Sequence, residues 1–129
     1  MTIDDYFASI ERSLRRAGQV SEIGEPFTCL ASDDYNGVIR CRVIFWDGSF
    51  LDIYEVVSTE LGYPVRLHYA YTYLRAGQRM FRYDNAPHHP EIITHPHHKH
   101  IGPYDRLAPA DQPSLSQVLT EIEDWLGRG

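Results

Sequence analysis

The chain has 129 residues, of which 43% are hydrophobic and 23% charged, a composition typical of a globular protein that buries a core without disulfides or metal. Its formal net charge of −6 at pH 7 argues against a broad basic surface that coats nucleic acid, but not against an enzyme that contacts one or two phosphates. No apolar run approaches the about 18 residues of a membrane span and no secretory leader is recognisable, so we expect a cytoplasmic protein with no membrane association.

The first predicted element is an amphipathic helix over residues 3–17. Its apolar side chains recur at the spacing that places them on one side of a helix, at Ile3, Tyr6, Phe7, Ile10 and Leu14. Charged side chains fill the opposite side, and Gly18 follows as an end signal. We expect this helix to pack its apolar side on the core.

An antiparallel meander sheet is predicted between residues 27 and 84. Alternation of apolar and polar residues identifies its strands, which we place at 27–30, 38–46, 49–57, 65–73 and 80–84. Asp47-Gly48 is a strong signal for a two-residue hairpin between the second and third of these strands. Glu55 falls on an otherwise apolar strand face, where a carboxylate needs a cationic partner, such as Arg82 or a histidine.

A histidine-rich loop over residues 85–105 and a helix over residues 114–126 complete the chain. Three prolines in the loop disfavour a helix or a central strand there. Ser114-Leu115-Ser116-Gln117 fits the capping box that opens a helix. We predict one α+β domain, residues 1–129, in which an antiparallel four- to five-stranded meander sheet is covered by an N-terminal and a C-terminal helix.

Six of the seven histidines fall between His88 and His100, and this density is the main functional signal. Imidazole exchanges protons near neutral pH and also binds transition metals. Because side chains alternate along a strand, the strand before the loop delivers Arg82 and Asp84 to one face. The candidate catalytic residues are Asp84, His88, His89, His97, His98 and His100. The candidate substrate-binding residues are Arg82, Lys99, Asn85, Tyr69 and Tyr71.

Imidazoles beside a cation and a carboxylate suit the cleavage of a phosphodiester. One imidazole takes a proton from the nucleophile, another protonates the leaving oxygen, and Arg82 or Lys99 stabilises the charge on the phosphate. In RNA the 2′-hydroxyl is an internal nucleophile, so no metal is compulsory. The stripe of Tyr69, Tyr71 and Tyr73 could stack bases, but we favour a core layer.

Metal binding is the alternative use of the histidines. The loop supplies enough imidazoles for zinc or another divalent metal, and Asp84 or Glu91 could complete the ligand set. However, the run lacks the helical i, i+4 pairing and the cysteines of stronger zinc signatures. On this alternative the chain is a metal-binding interaction module without catalysis, or a metal-dependent hydrolase.

Several blocks of the sequence resemble the TumE family of toxins from bacterial and archaeal toxin–antitoxin pairs. The specific ones are Phe81-Arg82-Tyr83-Asp84-Asn85-Ala86-Pro87-His88-His89 and Pro96-His97-His98-Lys99-His100. Further matches are Trp46-Asp47-Gly48-Ser49, Glu55, the strand around Tyr69 and Tyr71, and Pro113-Ser114-Leu115. The resemblance begins near Val38 and runs to the C-terminus.

The resemblance implies a small cytoplasmic toxin whose partner is a helix-turn-helix antitoxin, and which poisons growth by attacking RNA. The motif residues that it carries onto this chain are Arg82, Asp84, Asn85, His88, His89, His97, His98, Lys99 and His100. His95 lies outside the matching blocks. Our hypothesis is therefore an endoribonuclease toxin that uses histidine acid–base chemistry without a cofactor. The sequence leaves open whether it forms a homodimer.

Overall fold

Residues 1–25 and 27–128 are described by a computed structural model, and within these ranges they form two helices and eight strands. The helices are α1 (Ile3–Arg16) and α2 (Leu115–Glu123). The strands are β1 (Val20–Ile23), β2 (Thr28–Ala31), β3 (Asn36–Phe45), β4 (Phe50–Ser58), β5 (Val65–Arg75), β6 (Gln78–Asp84), β7 (His98–Ile101) and β8 (Arg106–Pro109). Neither helix of the described chain combines the length and the apolarity that crossing a membrane requires.

The eight strands of the described ranges form one antiparallel sheet. Its order is β1-β3-β4-β5-β6-β7-β8, and β2 pairs with β3 beside β1. β1 pairs with the C-terminal half of β3 and β2 with its N-terminal half, so the two short strands share one edge. The hairpin β7–β8 forms the other edge, next to β6. The architecture is thus the predicted α+β class, with a helix near each end of the chain.

Both helices begin at a capping box and bury an apolar stripe against the same face of the sheet. Thr2 and Asp5 cap α1, and Ser114 and Gln117 cap α2. The core joins these stripes to the inward side chains of β3, β4, β5 and β6. Full burial of one such side chain, for example Phe81, contributes about 1.5 to 3 kcal/mol. We call the helix-covered side of the sheet the inner face and the opposite side the outer face.

The sheet is larger than the predicted four to five strands. The pattern does not predict β1, β7 or β8, because each has only four residues and too short an alternation to stand out. The loop predicted over residues 85–105 is therefore wrong in its second half, which contains β7 and the turn that leads to β8. Pairing with β6 makes β7 a strand, although its local sequence has no strong β propensity.

The helix ends also differ from the prediction. The helix expected over residues 3–17 ends at Arg16, and the one expected over 114–126 spans Leu115–Glu123. Beyond Glu123 the chain continues in turns, although Trp125 and Leu126 still pack against the core. Apolar spacing therefore identified the packed residues correctly but not the end of the helix.

Candidate functional site

The register of β6 and β7 builds a polar cluster on the outer face. Asp84 lies opposite His98 and Arg82 lies opposite His100 across this antiparallel pair. Since side chains alternate along a strand, these four residues share one face, whereas Tyr83 and its neighbours in register point to the other. The structure thus places His98 and His100 on the same face of the sheet as Arg82 and Asp84.

Asp84 is the acceptor at the centre of this cluster. Its Oδ1 lies 2.9 Å from His98 Nε2 and accepts a 3.0 Å hydrogen bond from the backbone N–H of Ala86. Its Oδ2 accepts a 3.0 Å hydrogen bond from Nε of Arg82. The side chain is only 7% exposed, so these donors take the place of water around the carboxylate. Asp84 therefore fixes the positions of Arg82, His98 and the start of the loop.

His98 is held at both ring nitrogens. Its Nδ1 lies 2.9 Å from the carbonyl oxygen of Pro96, and a carbonyl oxygen can only accept a hydrogen bond. Nδ1 therefore carries a hydrogen. Its Nε2 faces Asp84 Oδ1, and the ring is buried. Because both ring nitrogens are engaged within the protein, His98 is suited to orienting its neighbours more than to exchanging protons with a ligand.

His89 reaches the same place from the loop. Its ring packs edge-on against those of His98 and His100, with centroid distances of 5.1 and 5.8 Å, and the latter two rings are 4.9 Å apart. One ring nitrogen from each histidine lies within 4.8 Å of the others. We call His89, His98 and His100, together with Asp84 and Arg82, the histidine pocket.

His100 is the member of the pocket with an unsatisfied nitrogen. Its Nδ1 is 3.0 Å from Asp105 Oδ1, which is close enough for an ion pair, but the angle is wrong for a hydrogen bond. Within the described chain this buried nitrogen has no hydrogen-bond partner. Burial lowers the pKa of His100 below its usual 6.5, and this outweighs the opposite influence of Asp105 and Asp84. His100 is therefore mostly neutral at pH 7 and able to accept a proton.

The loop that carries His89 is tied down at both ends. Asn85 accepts a hydrogen bond from the N–H of Tyr69 and donates one to the carbonyl oxygen of Leu67, both of 3.0 Å. Near the other end, the hydroxyl of Thr94 donates to the carbonyl oxygen of His97 and accepts a 3.0 Å hydrogen bond from the N–H of Ala110. Asn85 thus acts on the backbone of β5 and anchors the loop.

Lys99 lies on the inner face, away from the histidine pocket. Its Nζ donates a 2.8 Å hydrogen bond to Glu121 of α2 and sits 4.7 Å from the ring centroid of Tyr83. The Tyr83 hydroxyl donates to the same carboxylate. Lys99 therefore joins β7 to α2, and the structure does not bring it together with Arg82.

The predicted tyrosines also face inward. Tyr71 is fully buried, and its hydroxyl donates a hydrogen bond to Glu55. Tyr69 is buried too, with its hydroxyl 2.9 Å from His97 Nδ1 and its ring stacked on the His97 ring. Burial raises the pKa of Tyr69 to about 12 and lowers that of His97 below 6.5. His97 and His98 are adjacent in sequence, yet their side chains lie on different faces of the sheet.

Two other predicted positions lie outside the pocket. His88 is exposed on the loop. Glu55 accepts hydrogen bonds from the hydroxyls of Tyr6 and Tyr71, so the expectation that it pairs with Arg82 or a histidine is wrong. Buried hydroxyls satisfy this carboxylate in place of a cation.

Two residues near the pocket were not among the predicted site residues. Thr72 accepts a 3.2 Å hydrogen bond from Nη1 of Arg82, because the β5–β6 hairpin places these two residues opposite each other. The Ala76-Gly77 turn signal and the strand alternation carry enough information to find Thr72. Asp105 follows a strand that the pattern does not predict, and no local signal points to it.

Comparison with known protein families identifies a relationship. A family model described as Toxin TumE matches residues 11–126, a segment that contains the whole histidine pocket. No curated protein and no solved structure matches the chain.

Proposed function

The chain belongs to the TumE toxin family, and from this membership we propose that it is a toxin that cleaves RNA at the histidine pocket. The observation that carries the proposal is the convergence of three imidazoles, a guanidinium and a carboxylate on the outer face. Packing of the core does not require this combination, whereas transfer of protons around a phosphodiester does. The family description supports the toxin role, and the pocket supports the reaction class.

The proposed reaction uses the 2′-hydroxyl of RNA as the nucleophile. A base removes the 2′-hydroxyl proton while O2′ forms a bond to phosphorus. The bond from phosphorus to the 5′ oxygen breaks, and an acid gives that oxygen a proton. The products are a 2′,3′-cyclic phosphate and a 5′-hydroxyl end, and the reaction consumes no water in this step.

We assign the roles from burial and contacts. His100 is the base, because burial lowers its pKa and keeps its ring neutral at pH 7. His89, the most exposed of the three, is the acid, and Glu91 lies 3.4 Å from its Nδ1. The pair of His98 and Asp84 holds the other groups in place.

Arg82 is the proposed phosphate ligand. Asp84 and Thr72 hold its Nε and Nη1, and no hydrogen bond to its Nη2 occurs among the described residues. Its side chain is 39% exposed, so this nitrogen is available to a phosphate oxygen. A guanidinium held in this way stabilises the charge that develops on the phosphate during the reaction.

As a toxin, the protein requires a partner that restrains it. We propose a cognate helix-turn-helix antitoxin and RNA as its two partners and the cytoplasm as its place of action. The family description supports the antitoxin.

The test is cleavage of a labelled RNA by purified protein in the presence of EDTA. Replacing either catalytic imidazole, in His89→Ala or His100→Ala, should lower the rate by about 100-fold or more. His68→Ala removes an exposed imidazole of β5 and serves as the control. The wild-type products should carry 2′,3′-cyclic phosphate ends. If folded His89→Ala or folded His100→Ala still cleaves at the wild-type rate, the assignment of that residue is wrong.

A metal centre is the second candidate for the same pocket. The three ring nitrogens lie within 4.8 Å of one another, and Asp84 adjoins two of the rings. Tetrahedral zinc with bonds of about 2.1 Å holds its ligand atoms about 3.4 Å apart, so the rings would have to close in. Zinc would then supply a Lewis acid and an activated water.

Elemental analysis of untagged protein separates the two candidates. Stoichiometric zinc, with RNA cleavage lost on chelation and restored by the metal, favours a metal-dependent hydrolase. Stoichiometric zinc with unfolding on chelation and no cleavage favours a metal-binding interaction module. Full cleavage by metal-free protein favours histidine acid–base chemistry.

A further inference from the structure

A groove runs across the outer face and ends at the histidine pocket. It has a volume of about 630 Å³ and crosses β3, β4, β5 and β6. The side chains that line it on this face are those of Arg40, Asp52, Tyr54, Thr72, Leu74 and Arg82. Arg82 belongs to both the groove and the pocket, so a ligand that reaches the pocket along the sheet passes through the groove.

The strand register aligns the groove with the pocket. Two rows of paired residues cross the sheet, Arg40–Tyr54–Ala70–Asp84–His98 and Arg42–Asp52–Thr72–Arg82–His100. Four strand spacings of about 4.8 Å separate the ends of each row, which gives a track of about 19 Å. Ala70 has a small side chain between larger neighbours and so forms a low point in the first row.

The track carries three arginines and two aspartates, in a protein whose net charge is −6. Arg42 is engaged by Asp52 through hydrogen bonds of 2.8 and 3.1 Å. Arg40 makes no ion pair within the described chain, and its guanidinium lies 4.2 Å from the ring centroid of Tyr54. Arg40 is therefore an available cation at one end of the groove. At the other end Arg82 pairs with Asp84, but its Nη2 makes no hydrogen bond to the described residues.

We propose that this groove binds the single-stranded RNA that flanks the scissile phosphate, with a base stacked near Tyr54 and a backbone phosphate on Arg40. This inference rests on the proposed function, since it extends the substrate beyond the phosphate that is cleaved. Arg40 lies over the Tyr54 ring, and an arginine stacked on an aromatic side chain at an open surface offers an unpaired nucleotide a cation for its phosphate and a planar surface for its base.

The proposed RNA is single-stranded because its bases must be unpaired to stack near Tyr54. In a duplex the bases stack on one another and pair across the helix, so they present no face to Tyr54. In-line attack by a 2′-hydroxyl also needs a backbone that can rotate. Base stacking is tolerant of sequence, and this groove therefore adds affinity for flanking nucleotides more than it selects a particular sequence.

Binding is tested with a labelled 12-nucleotide RNA made uncleavable by 2′-O-methyl groups, using fluorescence anisotropy. We expect Arg40→Ala combined with Tyr54→Leu to weaken binding by at least about tenfold. Arg12→Ala removes an exposed cation from α1 and should leave binding unchanged. A wild-type protein that fails to bind, a groove variant that binds as tightly as wild type, or equal binding of duplex RNA would each overturn the proposal.

Cleavage distinguishes this inference from the proposed function. The groove variant should cleave an unmodified 12-nucleotide RNA at least about tenfold less efficiently in kcat/KM, yet cleave a dinucleotide at the wild-type rate. An equal loss on both substrates would mean that the substitutions damage the pocket, and it would overturn the groove. Groove-dependent binding without any cleavage by wild type would instead refute the nuclease and retain the RNA track.

Discussion

Glu55 is a carboxylate that is 1% exposed in the inner face. The hydroxyls of Tyr6 and Tyr71 donate to its two oxygens, and Arg66 donates a 2.6 Å hydrogen bond to the Tyr71 hydroxyl. Burial, together with the nearby carboxylate, raises the pKa of both tyrosines, so they remain donors at any physiological pH. This network joins α1 to β4 and β5 through side chains whose partners lie far away in sequence.

Removal of the carboxylate should therefore be costly. Glu55→Ala leaves two buried hydroxyls without an acceptor and opens a cavity, and we expect it to lower the free energy of unfolding by about 3 kcal/mol. Glu55→Gln keeps the volume and one acceptor and should cost less. Glu123→Ala, at an exposed position of α2, is the control. Urea unfolding measures all three, and a Glu55→Ala value equal to the control would contradict the network.

At the scale of elements, the hairpin β7–β8 determines the electrostatics of the pocket. Asp105 closes its turn with a φ of 55°, a left-handed conformation in which aspartate is common, after Gly102 with a φ of 70°. This turn brings the Asp105 carboxylate to His100 Nδ1. The proton affinity of the proposed base therefore depends on a turn outside β7.

The pH profile of cleavage should report this contact. A base is active when it is deprotonated, so kcat/KM should rise with pH. The midpoint of the rise should lie below pH 6.5, because burial lowers the pKa of His100. Asp105 raises that pKa, so Asp105→Asn should move the rising limb to lower pH. Asp111→Asn removes a carboxylate that acts on His97 and should leave the limb unchanged. A shift caused by Asp111→Asn alone would assign the base to His97.

The strands that the sequence predicts are those with a long apolar alternation. In β3 and β4, buried and less buried positions alternate over nine or ten residues, and the Asp47-Gly48 turn joins them. β7 has His98 and His100 on one side and Lys99 on the other, so hydrophobic periodicity does not reveal it. Its pairing with β6 is a tertiary property.

The same limit applies to the site. The high density of histidines identified the candidate segment, and the alternation of side chains along the strand placed Arg82 and Asp84 on one face. Lys99 and His97 lie on the inner face, whereas His98 lies on the outer face. This separation depends on β7, a strand that the local sequence does not indicate. Their final positions could not be derived without the fold.

At the scale of the whole molecule, Asp47 joins the central hairpin to the C-terminal end. Its Oδ2 accepts a 2.6 Å hydrogen bond from Arg75 and a 3.1 Å hydrogen bond from the N–H of Gly127, and its Oδ1 accepts from Ser49. Burial on its own would raise the pKa of Asp47, but these donors lower it well below its usual 3.8. Folding therefore favours the ionised carboxylate.

The stabilisation from Asp47 should depend on pH. It is present above the unfolded pKa of 3.8 and is lost as the pH falls towards the lower folded pKa. At pH 7 we expect Asp47→Asn to lower the free energy of unfolding by about 2 kcal/mol, between the values of exposed and buried ion pairs. The difference in the free energy of unfolding between this variant and wild type should be smaller at pH 3. Asp34→Asn, at an exposed position, is the control. If the difference in the free energy of unfolding between Asp47→Asn and wild type does not change with pH, Asp47 does not have this stabilising role.

Because side chains alternate along β7, the register of this strand decides which of its residues reach the histidine pocket. Lys99 faces α2, while the imidazoles on either side of it face Asp84 and Arg82. A slip of one residue against β6 would exchange the two sets, leaving an ammonium in the pocket and two histidines against the helix. An insertion before β7 leaves this alternation unchanged, whereas a single insertion within β7 would move the residues that follow it to the opposite face of the sheet.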